Sequence, residues 1–117
     1  MGFQISNEAL TGALNATSES ERWDFKSSFD PDCNAEVLEI VKDIVAMANS
    51  GGGVIIVGLN DSGSIAATNV SKLLGWDAAK ITDKLFSYTG VQFHKFQITR
   101  VEKLGQELCA LLIEGVR

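Results

Sequence analysis

The sequence predicts one α/β (α+β) domain, a mixed β-sheet with helices packed on it, in the element order (α)βαββαββ. First, apolar residues recur at spacings of three and four through residues 37–48, which indicates an amphipathic helix. Second, the β-branched run 54–59 lies between the glycine triplet 51–53 and the turn sequence Asn-Asp-Ser-Gly at 60–63, which indicates a strand. Third, this run and residues 108–113 are apolar on both faces, so both strands should be interior in the sheet.

The elements before the central helix are a short helix, an aromatic strand and a turn. Loosely spaced apolar residues predict a helix over residues 7–15. Residues 22–26 alternate polar and aromatic side chains, which predicts a strand with Trp23 and Phe25 facing the core. The turn at 30–34 precedes the central helix, and we expect Asp32 or Asn34 to cap that helix. On the helix itself, Asp43 falls on the predicted solvated side.

The second half of the chain predicts a hairpin, a helix and two further strands. Residues 60–63 should form a tight turn, and residues 65–67 a short returning strand. Helical spacing then runs from about residue 71 to 88, with Gly75 separating a short turn from a main helix that begins near Asp77. Residues 91–100 and 107–116 are predicted strands joined by a turn around 103–106.

Composition restricts the setting of this domain. No apolar run approaches the length of a bilayer span and no signal sequence opens the chain, so we expect a cytoplasmic protein with no membrane partner. Cys33 and Cys109 are isolated, as is typical of reduced thiols. The chain stops one residue after a predicted strand, so we expect residues 1–117 to be the N-terminal domain of a longer protein.

The charge distribution gives nucleic-acid binding little general support. The formal net charge is −5, and the first 43 residues carry nine acidic and three basic residues. From residue 44 onward six acidic and seven basic residues occur, which leaves room for a modest basic patch. Two interpretations fit these bases, dispersed phosphate contacts or an ordinary solvated face, and spacing alone favours the second.

Two motifs invite a chemical interpretation. The glycines 51–53 do not form a phosphate loop, because they follow a helix and precede a strand, whereas a phosphate loop presents a helix N-terminus to the anion. Asp24 and Lys26 lie two apart on one face of a strand, with Glu19 before them and Asp61 at the end of the neighbouring strand. Such a carboxylate–lysine pair suits a metal-dependent nuclease, but it is more often an exposed ion pair contributing about 0–1 kcal/mol. His94 has no partner pattern for acyl-transfer chemistry.

Two segments of the chain resemble the Schlafen-type AlbA domain. The first is residues 19–26, Glu19-Ser20-Glu21-Arg22-Trp23-Asp24-Phe25-Lys26. The second is residues 44–63, which contain the run Ala48-Asn49-Ser50-Gly51-Gly52-Gly53, an apolar strand and Asp61-Ser62-Gly63. That family is usually described as DNA-binding, and in bacteria and archaea it commonly forms the N-terminal part of predicted transcriptional regulators. The resemblance therefore implies a cytoplasmic regulator domain that binds nucleic acid, DNA rather than RNA. Its expected phosphate contacts are Lys26, Lys84, Lys95, Arg100 and Lys103, with no cofactor required.

The resemblance also implies an alternative, because animal Schlafen proteins cleave RNA with a three-acid, divalent-metal site in this domain. The matching residues are Glu19, Asp24 and Asp61, which would bind Mg²⁺ or Mn²⁺, with Lys26 as the fourth catalytic residue. This sequence has Asp24 where the family usually has Glu. We expect a binding domain rather than an enzyme, with a metal-dependent ribonuclease as one alternative and a homodimerisation or interaction module as the other.

Overall fold

The computed structural model describes residues 7–20, 22–75, 83, 87 and 96–115. Within these residues the elements are α1 (Asn7–Asn15), β1 (Trp23–Lys26), α2 (Asn34–Asn49), β2 (Gly52–Val57), α3 (Ser71–Leu74), β3 (Phe96–Lys103) and β4 (Gln106–Glu114). Apart from residues 83 and 87, the predicted main helix lies outside the described residues, as do residues 91–95 of the strand predicted at 91–100.

The four strands form one mixed sheet in the order β1-β2-β4-β3. β1 is parallel to β2, with Asp24 beside Ile55. β4 is antiparallel to both of its neighbours, so β2 and β4 are the interior strands. Both are almost wholly buried, as their apolar sequences predict. The predicted α+β fold class is confirmed.

Helices cover both faces of the sheet, because successive strand residues point to opposite sides. On one face α2 packs on β2 and β4 while α3 contacts β3, and Ile40, Ile44 and Ile55 belong to the buried cluster there. On the other face α1 packs on a second cluster that includes Phe25 and Ile56. The central strands therefore place one side chain in each layer alternately, and polar residues of β1 opposite its aromatic pair face α2.

The glycine segment 51–53 is structural, as predicted from its helix-to-strand polarity. Gly52 has a φ of 90°, in the left-handed region, and a Cβ there would lie 2.6 Å from the backbone nitrogen of Gly115. A Cβ on Gly53 would collide with the Arg22 carbonyl and lie 2.8 Å from the Met47 sulfur. Only glycine lets α2 turn directly into a central strand between these neighbours.

Two local predictions are wrong. Residues 65–67 form a single bridge from Ile65 to Leu59 rather than a strand, because Ala67 adopts a left-handed φ of 57° that ends the extended run. Neither Asp32 nor Asn34 caps α2: Cys33 is the N-cap, and it makes no side-chain cap hydrogen bond. Asp32 instead pairs with Lys72 across the surface. The tight turn at 60–63 is confirmed by the hydrogen bond from Gly63 N to Asn60 O at 2.8 Å.

Candidate functional site

The predicted carboxylate–lysine pair lies in the layer between β1 and α2. Lys26 Nζ is 3.5 Å from Asp24 Oδ2 on the same strand and 2.6 Å from Asp43 Oδ2 on α2. The Asp43 oxygen is buried, and among the described residues it has no hydrogen-bond partner of good geometry, so the Lys26 ammonium supplies its electrostatic compensation. Lys26 is thus held between two carboxylates, with about one third of its side chain exposed.

Sequence reasoning missed Asp43 because the residue sits at the boundary of the α2 stripe. It follows the buried Ile40 by three positions and precedes the buried Met47 by four, and this spacing was the available signal. An acid at such a position of the helix lies against the sheet rather than in solvent. Its partner is then the one lysine that β1 directs toward α2.

Glu19 forms a hydrogen bond with the backbone at the outer edge of β1. Its Oε2 accepts a hydrogen bond from Phe25 N at 3.0 Å, and the neighbouring Ser20 N donates to Trp23 O at 3.0 Å. Both strand groups point away from β2, so the segment before β1 satisfies an edge that would otherwise be open. Glu19 therefore has a structural role in addition to its contact with Asp24.

Glu19 and Asp24 form a hydrogen-bonded acid pair whose pKa values move apart. Burial, and then the hydrogen bond with Glu19, raises the pKa of Asp24 to about 6. The same hydrogen bond, together with the Phe25 N–H, lowers the pKa of Glu19. Below about pH 6 the pair therefore holds one proton on Asp24, which donates to the Glu19 carboxylate. Burial alone would lower the pKa of Lys26, but Asp43 and Asp24 outweigh it and the pKa is raised.

Asp61 is exposed in the turn after β2. Gly63 of that turn packs against the Ala16 backbone, just after α1. Within the described ranges, no three His, Cys, Asp or Glu side chains form a group that could hold a metal ion. The structure therefore brings Glu19, Asp24 and Lys26 together, and the metal set of Glu19, Asp24 and Asp61 stays a prediction.

The predicted phosphate-contacting bases differ in how they are partnered. Lys84 and Lys95 lie outside the described residues. Arg100 is neutralised by Glu107 at 2.5 Å and by Glu102 at 2.8 Å. Lys103 Nζ donates to the uncharged Gly63 carbonyl at 2.7 Å, and in the described part of the chain no acid pairs with it. Lys103 therefore lies at the end of β3 without a paired acid among these residues.

Next to Lys103, the β3–β4 hairpin presents an exposed leucine. Leu104 and Gly105 are the two turn residues, with φ values of 52° and 81°, the pattern of a type I′ turn. Leu104 is 90% exposed. The left-handed conformation costs a residue with a Cβ, such as leucine, about 1–2 kcal/mol. Type I′ turns therefore favour Asn-Gly or Asp-Gly. The turn around residues 103–106 was predicted from the sequence, but the left-handed conformation and exposure of Leu104 within it were not.

The comparisons with known proteins agree with this architecture. A family model described as "Schlafen, AlbA_2" matches residues 19–115. Among solved structures, the DIP2311 protein from Corynebacterium diphtheriae is similar, with a TM-score of 0.59 and 19% identity over 93% of this chain and 25% of that one. The chain thus spans a quarter of that protein, and the likeness shows the fold alone. No curated protein matches the chain. In the described residues, no helix is both long and apolar enough to cross a membrane.

Proposed function

The chain belongs to the Schlafen AlbA_2 family, and from that membership we propose that it is a nucleic-acid-binding domain of a transcriptional regulator, with DNA as its preferred partner. The observation that carries the proposal is the tip of the β3–β4 hairpin, residues 103–105. It combines a lysine that pairs with no acid among the described residues with an apolar side chain held in solvent. Lysine contacts phosphates, and an apolar wedge can enter a groove between base steps.

The conformation of Leu104 supports a binding role for this tip. Asn in its place would relieve the left-handed conformation and remove an exposed apolar surface, so folding alone gives no reason for leucine. Strain retained in an exposed turn is common where the turn contacts a ligand. A duplex groove would desolvate Leu104 while Lys103 approaches the adjacent phosphate.

The remaining charges limit the expected electrostatic contribution. Lys26, Lys72 and Arg100 are each paired with acids, which leaves Lys103 as the main phosphate contact among the predicted bases that the structure describes. With Lys84 and Lys95 from the sequence prediction, three phosphates would be neutralised. The logarithm of affinity should then fall against the logarithm of salt concentration with a slope of roughly −2 to −3.

The test is a salt titration of binding to a labelled DNA duplex, followed by fluorescence anisotropy. Lys103→Ala should weaken binding to all sequences alike and reduce the slope by about one unit. Lys72→Ala is the matched control, because it removes the same charge from a lysine paired with Asp32. The hairpin assignment is wrong if the two variants behave alike, and DNA binding is wrong if the wild type fails to bind at low salt.

A metal-dependent ribonuclease is the second candidate, and the contact between the Glu19 and Asp24 carboxyls beside Lys26 favours it. Two acids and a lysine at this edge of the sheet could hold a cation and polarise its water if a third ligand approached. Incubation of transfer RNA with Mn²⁺ tests this activity. Cleavage lost in Asp61→Ala would support the three-acid set, whereas cleavage retained in that variant would remove Asp61 from the mechanism.

A further inference from the structure

The two edge strands of the sheet differ in length and in whether other residues cover their backbone groups. The outer edge of β1 is four residues long and is covered by Glu19 Oε2 and Ser20 N. β3, which lies at the other edge of the sheet formed by the described residues, is eight residues long. A long edge strand left open is a site where another strand pairs, and proteins normally shorten, cover or charge such edges.

The hairpin geometry shows which backbone groups of β3 face outward. Lys103 pairs with Gln106 across a two-residue turn, and in such hairpins the residues flanking the turn exchange hydrogen bonds. Alternation along the strand then directs the amides and carbonyls of Arg100 and Glu102 away from β4. Within the described part of the chain, no backbone hydrogen bond reaches these groups.

We propose that a second copy of this chain pairs with β3, antiparallel, around a two-fold axis at Val101. This register places Arg100 of each protomer directly opposite Glu102 of its partner, in both symmetry-related positions. Val101 meets its own copy at the axis, where β-branched side chains pair well. The two four-stranded sheets then continue as one eight-stranded sheet, within the range of ordinary open sheets.

The charges of β3 identify a second copy as the occupant. Residues 100 and 102 carry opposite charges on either side of Val101, so the edge is complementary to itself when antiparallel. An edge with one sign of charge would repel its own copy. Arg100 already donates to Glu107 through Nε and to Glu102 through Nη2, so it keeps Glu107 as an intramolecular partner while Glu102 pairs across the axis.

Charge-reversal variants test this pairing by sedimentation equilibrium on the whole 117-residue chain. Arg100→Glu alone sets acid against acid at both positions, and Glu102→Arg alone sets base against base. Each should raise the dimer Kd by about tenfold or more. Mixing the two single variants makes both cross-axis pairs attractive again, so heterodimers should form, and the double variant should recover homodimers.

The mixed and double variants keep the test decisive even if a single reversal weakens folding, which circular dichroism would detect. Lys72→Glu is the matched control, since it reverses one exposed charge that pairs with Asp32 rather than with a β3 residue, and it should leave the dimer Kd unchanged. The pairing is refuted if the wild type remains a monomer at about 1 mM. It is equally refuted if the two single variants fail to associate when mixed or if the control dissociates the dimer as strongly.

Discussion

Replacing Leu104 with asparagine should stabilise the protein while weakening its binding to DNA. Leu104 has a φ of 52°, a conformation that costs an ordinary L-residue about 1–2 kcal/mol and costs asparagine much less. Because the side chain is 90% exposed, folding loses almost no apolar burial on substitution. The new pair Asn-Gly is the preferred sequence of a type I′ turn. We therefore expect Leu104→Asn to raise the free energy of unfolding by about 1 kcal/mol.

The assay is urea unfolding followed by circular dichroism, with Leu38→Asn as the matched control. Leu38 is the other exposed leucine in the described part of the chain, 44% exposed, but it lies within α2. The same substitution there exchanges a good helix former for a poor one and should lower stability by about 0.5–1 kcal/mol. Opposite signs for the two variants are expected. Equal destabilisation would refute the strain argument, and unchanged DNA affinity in Leu104→Asn would refute the binding role of the tip.

Three further predictions concern the sheet and the acid pair. Gly53→Ala should lower the free energy of unfolding, measured by urea unfolding, by about 2–3 kcal/mol, because the new Cβ clashes with the Arg22 backbone just before β1. Gly51→Ala is the control: its Cβ has open space, so the positive φ alone should cost about 1 kcal/mol. Glu19→Ala should cost about 1 kcal/mol by leaving Phe25 N without its acceptor, and a full recovery of stability in Glu19→Gln would support the hydrogen bond over charge. The pKa of Asp24 rises from 3.8 unfolded to about 6 folded, so its contribution to stability is complete below the lower value and is lost as pH rises through the higher one. As pH rises from about 4.5 to 7.5, the free energy of unfolding of Asp24→Asn should therefore increase relative to that of the wild type by roughly 1–2 kcal/mol, after allowance for solvent screening. A difference in unfolding free energy that stays constant across this range would contradict the raised pKa.

The fold was predictable wherever one local pattern determined burial. The runs in β2 and β4 are apolar on both faces, and such runs fit only the interior of a sheet. The recurrence in α2 likewise gave its buried stripe directly. The strand predicted at residues 65–67 failed because its backbone is set by a left-handed residue, Ala67, and alanine gives no sequence signal for that conformation.

The candidate site was predictable only in part, because its geometry depends on contacts between distant elements. The placement of Asp24 and Lys26 on one face follows from strand alternation and could be read from sequence. Asp43 joins them only when α2 packs on the sheet, so its role depended on tertiary structure. The edge-capping role of Glu19 depends on how the preceding segment folds back on β1, which no periodicity encodes.

Anisotropy of a labelled DNA duplex, titrated with the wild-type chain at about 50 mM salt and again at about 200 mM salt, tests the central claim most directly. Nucleic-acid binding predicts saturable binding at the lower salt and an affinity roughly 15- to 65-fold weaker at the higher, in line with the expected slope of roughly −2 to −3. A chain that fails to bind at the lower salt, or binds with an affinity independent of salt, would contradict the account.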